Sequence, residues 1–139
     1  MYQVWALAAL LSTSLLVAQT EEKFKIRFTP VPMDLGMRST VAGSGSGVAI
    51  LAGSKLTINA AFDGMPSPAT AAKVHKGVAT GVRGSAFLEL VVTKTSKGTV
   101  SGTFDLSQDQ IAGLKEGKLY IVISSEKAPE GTLWGWILK

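Results

Sequence analysis

At 139 residues and 14.5 kDa, the chain is long enough for one domain with a modest core and too short for two. Hydrophobic residues make up 46% and charged residues 17%, with 15 Gly and 5 Pro, which excludes a disordered tail and a coiled coil. The net charge of +4 comes from scattered basic residues, so a nucleic-acid partner is not expected. The absence of Cys excludes disulfides, thiolate metal sites and a cysteine nucleophile, and a single His disfavours most metal and acid–base catalysis.

Residues 1–19 carry no charged side chain, and the apolar stretch from Val4 to Ala18 gives way abruptly to Thr20-Glu21-Glu22-Lys23. This reads as a secretory signal peptide cleaved near Ala18 or Gln19. Against this reading, no Lys or Arg precedes the apolar core, and Leu16 is large for a position three before the cut. An uncleaved anchor is the other reading, but the stretch is broken by Ser12-Thr13-Ser14 and falls short of the roughly 20 apolar residues that span a bilayer. No stable membrane span is expected once the signal is gone. The expected location is the periplasm or the extracellular space, with which the lack of cysteines is compatible because disulfides are allowed there but not obligatory.

The rest of the chain alternates β-type runs with Gly or Pro punctuation about every ten residues, which predicts an all-β fold: an antiparallel, Greek-key-like sandwich or barrel with one short helix near 107–116. Residues 20–40 divide into an N-terminal strand, with Phe24, Ile26 and Phe28 alternating against Lys23, Lys25 and Arg27, and a loop begun by Pro30 and Pro32. Residues 41–139 form the main β domain. Gly43-Ser44-Gly45-Ser46-Gly47 superficially resembles a phosphate loop, yet no Lys-Ser/Thr follows and no helix is predicted after it. It reads instead as a flexible lead-in to the next strand. Val48 to Leu51 and Lys55 to Asp63 make a hairpin, as do Ser85 to Lys94 and Thr99 to Asp105. Between the hairpins, the small residues Ala69 to Ala72, which let backbones approach closely and so read as a crossing at a sandwich edge, lead into Lys73-Val74-His75 and a Gly-rich loop. Ser107-Gln108-Asp109-Gln110 fits a capping box, with Ile111 and Leu114 on one face and Gly117 at the stop, so the helix should run about two turns. Leu119 to Ser124 and Leu133 to Leu138 are the last two strands.

Three spaced motifs carry a resemblance: Pro68-Ala69-Thr70-Ala71-Ala72-x-x-His75, then Leu106-Ser107-x-x-Gln110-x-x-x-Leu114-x-x-Gly117-x-Leu119-Tyr120, then Pro129-x-Gly131-x-Leu133-x-Gly135-x-Ile137. Over roughly Val41 to Leu138 the chain resembles the CHRD domain, which implies an exported all-β module without an established catalytic activity. Where the family pattern has Ala-Ala-His-Ile-His, this chain has Lys73 for the first His, and where a further His is usual it has Ser124. A family metal site at those positions is a conjecture from geometry, and this chain, keeping only His75, would have lost it; no metal or other cofactor is expected. The family's closing Arg and Gln are replaced by Trp134 and Trp136.

Period-two alternation puts both indoles on the strand face opposite Leu133 and Ile137. Two readings stay open for them. One is a contact surface for another exported protein; the other is a second core layer covered by the N-terminal strand or by the Pro30-Val31-Pro32-Met33 segment. His75 is either a bonded structural histidine or a ligand, and Lys73, Lys76 and Arg83 around the Gly-rich loop are either a solvated loop or contacts to an anion or ligand. No catalytic constellation stands out. The chain reads as an exported, non-catalytic binding or accessory module working through Trp134 and Trp136. The alternative is a periplasmic metal-binding or redox-related protein using His75.

Overall fold

A computed structural model describes residues 20–32 and 40–139. The expected signal peptide and the greater part of the proline-rich loop lie outside the described residues. In chain order the elements are β1 (Glu21–Pro30), β2 (Ser44–Ala52), β3 (Lys55–Asp63), β4 (Ala69–Lys76), β5 (Ser85–Val92), β6 (Gly98–Asp105), α1 (Gln108–Lys115), β7 (Leu119–Ser125) and β8 (Leu133–Leu138). Every strand pairing is antiparallel, and the strands close on themselves in the order β1-β2-β3-β6-β5-β4-β7-β8. The fold is therefore a closed barrel, not an open sandwich. Its Greek key is the set β7-β4-β5-β6, a meander of three strands with the fourth returned beside the first.

Closure depends on β1, which pairs with β2 on one side and β8 on the other. Its alternation sends Phe24, Ile26 and Phe28 into the barrel, all at most 2% exposed, and leaves Lys23, Lys25 and Arg27 outside. The N-terminal strand therefore does not lie over the tryptophans as a second layer. Its apolar face fills the barrel interior together with Leu56, Ile58, Val74, Ile121, Ile123 and Ile137, as an eight-stranded barrel requires.

Two sequence expectations change. Gly43 to Gly47 is not a flexible lead-in, because β2 is already a ladder strand from Ser44, with Gly45 facing Phe62 and Gly47 facing Ala60 on β3. Added Cβ atoms at Gly45 or Gly47 would run into the β3 backbone or Ala60, so the glycines permit a tight inter-strand approach. The small-residue stretch is likewise no edge crossing: β4 is an interior strand between β5 and β7, with Ala69, Ala72 and Val74 buried.

Helix α1 follows the expected pattern. Ser107 caps it, with the Ser107 side chain accepting from the Gln110 N–H and the Gln110 side chain accepting from the Ser107 N–H, and Gly117 adopts φ +75° just past the end. The helix carries the β6-to-β7 connection and lays Leu114 and Ile111 against the core. Lys76 Nζ reaches Asp109 at 2.7 Å and ties β4 to the start of this helix.

Candidate functional site: an aromatic cluster outside the barrel

The inward phase of β7 and β8 is taken by Leu119, Ile121, Ile123, Leu133 and Ile137, so their outward phase is Tyr120, Val122, Trp134 and Trp136. Register then assembles a row: His75 on β4 faces Tyr120 on β7, which faces Trp136 on β8, which faces Arg27 on β1. Directly opposed residues have Cβ atoms about 4.5–5.5 Å apart, and the rings meet accordingly. Tyr120 stacks on Trp136 at 4.3 Å between centroids and on His75 at 5.0 Å, while Trp134 stands edge-on to Tyr120 at 5.8 Å and to Trp136 at 5.5 Å. These offset and T-shaped arrangements are the favourable ones for aromatic pairs.

The cluster is layered. Tyr120, at 2% exposure, is its floor, and Trp134 and Trp136 are half-buried above it. Trp134 also packs against Val31, Val41 and Ala128, a small apolar cluster separate from the barrel interior. Partial cover therefore comes from Val31 just beyond β1 and not from the strand itself. The Trp136 indole N–H is buried with no hydrogen-bond partner among the described residues, so this indole is held by ring contacts and not by a polar anchor.

The loop at 77–84 closes over the other side. Gly84 N–H donates to the Tyr120 hydroxyl at 2.7 Å, and that hydroxyl donates to the Gly84 carbonyl at 3.1 Å. The same carbonyl lies 3.0 Å from His75 Nδ1. A carbonyl oxygen only accepts, so the contact assigns the proton to Nδ1 and leaves Nε2 as the second ring nitrogen. Thr80 pins the middle of the loop by donating to the Gly117 carbonyl at 2.7 Å. Arg83 then lies over Trp134, with its guanidinium carbon 5.7 Å from the ring centroid, within cation–π range. Between loop and barrel is a cleft of about 110 Å³ bordered by His75, Arg83, Tyr120, Glu130 and Trp134. It has room for a small polar group and is well below the few hundred Å³ typical of cofactor sites.

The four residues suggested as anion or ligand contacts do not converge. Arg83 and His75 join the aromatic cluster, Lys76 turns to Asp109, and Lys73 is exposed on β4 in register with Val122 and Glu89. Lys76 also holds the Asp109 carboxyl below its ordinary range by hydrogen bonding and charge. Asp63, the acidic residue nearest His75 in sequence, accepts instead from the Gly64 N–H at 2.7 Å. No group of three His, Asp or Glu side chains that could hold a metal occurs among the described residues. Sequence reasoning assigned no role to Tyr120, although its outward phase on β7 was the signal that places it with the tryptophans.

Fold and cluster together define a class: a small closed β-barrel module whose distinctive chemistry is on its outer surface. A family model described as CHRD domain matches residues 31–137, and the chain belongs to the CHRD domain family. This is a family of small extracellular or periplasmic domains, not known as catalytic. Searches of curated proteins and of solved structures find no match. No helix among the described residues is long and apolar enough to cross a membrane.

Proposed function

We propose that this chain is an exported, non-catalytic accessory module that contacts another exported protein through the outer face of β8. The observation that carries the reading is that Trp134 and Trp136 stand side by side, half-buried, on a rigid floor made by Tyr120, with Arg83 across Trp134. Trp, Tyr and Arg are the residue types that dominate binding hot spots, and a surface already fixed by ring stacking loses little side-chain entropy on association. Loss of either indole should weaken such a complex by about 2 kcal/mol or more.

The test uses fluorescence. With Trp5 replaced by Phe, Trp134 and Trp136 are the sole indole emitters in the chain. Red-shifted emission readily quenched by iodide, lost on addition of a partner captured by cross-linking, is the expected result. Blue-shifted emission closed to iodide in a protein shown to be monomeric would sink the reading, because the pair would then serve stability alone.

A further inference from the structure

We infer that the outer face of β1, beside the aromatic cluster, is a docking groove for a linear acidic polysaccharide. Lys23, Lys25 and Arg27 project from one face of β1 at two-residue intervals, and all three are exposed. Successive same-face positions on a strand are separated by about 6.6–6.8 Å, so the cations form a straight row roughly 13 Å long. None of them is ion-paired among the described residues; the four ion pairs there use Lys76, Lys115, Lys118 and Lys139. The row borders a groove of about 690 Å³ whose opposite side, on β2, includes the exposed hydroxyl residues Ser44 and Ser46. Arg27 and Ser46 face each other directly in the β1–β2 register.

This combination selects its occupant by chemistry. Three unpaired cations in line attract a polymer with regularly repeated negative charge, and hydroxyls across the groove suit the hydroxyls of sugar rings. An acidic peptide cannot add to β1 as a strand, because both edges of β1 are already hydrogen-bonded within the closed barrel. A lipid surface calls for protruding apolar side chains, and none of the large exposed apolar residues, Val78, Val82, Val91 and Leu138, lines this groove. Single-stranded nucleic acid binds by stacking successive bases on exposed aromatic rings, whereas the aromatic residue lining this groove, Phe28, is turned into the barrel at 1% exposure and Trp136, half-buried opposite Arg27, offers one ring beside one end of the row. Of the three cations only Arg27 adjoins the aromatic row, opposite Trp136 on β8, so Lys23→Gln with Lys25→Gln tests the groove apart from the protein contact proposed above.

Binding of the purified protein to polygalacturonate, measured by calorimetry, is the test, with neutral dextran, single-stranded DNA and anionic phospholipid vesicles as competing probes. The expected result is saturable binding to polygalacturonate that weakens with added salt, as for any ligand that releases counterions, and none to dextran. Combined Lys23→Gln, Lys25→Gln and Arg27→Gln should weaken it at least tenfold. Lys55→Gln, Lys94→Gln and Lys127→Gln, which remove the same charge at positions that do not line the groove, should leave it within twofold. Lys23→Arg with Lys25→Arg, which keeps the charge, should retain binding and guards against a folding artefact in the neutral triple. Equal loss in both neutral triples, DNA or vesicle binding as tight as polygalacturonate binding, or no polygalacturonate binding at all would each overturn the proposal.

Discussion

β2 and β8 flank β1 on its two sides and meet the same packing demand with the same residue. Phe28 points into the barrel and is opposed by Gly45 on β2 and by Gly135 on β8. On β8, a Cβ at Gly135 would stand 2.8 Å from Ile26 and 2.9 Å from Phe28, closer than real Cβ contacts. The inner faces of the two strands are thus alike, but their outer faces diverge: β2 carries Ser44 and Ser46 where β8 carries Trp134 and Trp136. The inner pattern is dictated by close approach, of the β3 backbone and then Phe28 at Gly45 and of Ile26 and Phe28 at Gly135. The outer one is free of that demand, and it carries hydroxyls on β2 and, on β8, indoles that pack against Tyr120 and against Val31, Val41 and Ala128.

If this contrast is right, substitutions on the two flanks should separate cleanly. The largest effect should come from the floor of the aromatic face. Tyr120→Ala removes three ring contacts and both bonds to Gly84 and should cost about 4 kcal/mol in urea denaturation. Ser46→Ala, on the hydroxyl face, should stay within about 0.5 kcal/mol. Comparable costs at the two sites would erase the distinction.

Next come the glycines. Gly45→Ala forces its methyl against the β3 backbone, which cannot rotate away, and should cost about 3 kcal/mol. Gly135→Ala meets side chains of Ile26 and Phe28 that can give slightly, and should cost about 2 kcal/mol. A neutral Gly45→Ala in the same assay would mean that β2 does not need the close approach.

The smallest effect concerns the one acidic group that ties this flank together. Hydrogen bonds from Lys139 and then Lys115 hold the Glu22 carboxyl below its ordinary value. A lowered folded-state pKa contributes stability that is complete above the ordinary carboxylate range and is lost as pH falls through the lowered value. The melting temperature of Glu22→Gln should therefore lie slightly below wild type at neutral pH, with the gap closing on acidification. A gap that widens in acid would contradict the assignment.

Much of the inner architecture was legible in the sequence because period-two alternation and turn residues are local signals. Phe24-Ile26-Phe28, both hairpins, the Ser107 capping box and the shared face of Trp134 and Trp136 are all read within a few residues. What stayed hidden depends on distant partners. Ala69-Thr70-Ala71-Ala72 has too little contrast between apolar and polar residues to announce a strand, and only its neighbours β5 and β7 make it one. The Gly-Ser alternation of β2 looks flexible until β3 is seen pressed against it. The cover over Tyr120 is supplied by Gly84, 36 residues earlier, and no local pattern records that distance.

The seam between β1 and β8 joins Lys25 to Leu138, the two ends of the folded unit. A chain emerging N-terminus first from a ribosome therefore holds β1 without one of its two neighbours until β8 has arrived. Long-range pairing of this kind is slow, because loop-closure entropy must be met before any contact rewards it. Completion of the barrel therefore waits for the strand farthest from β1 in sequence. Until β8 is in place, one edge of β1 lacks its backbone partners and the barrel stays open along that seam.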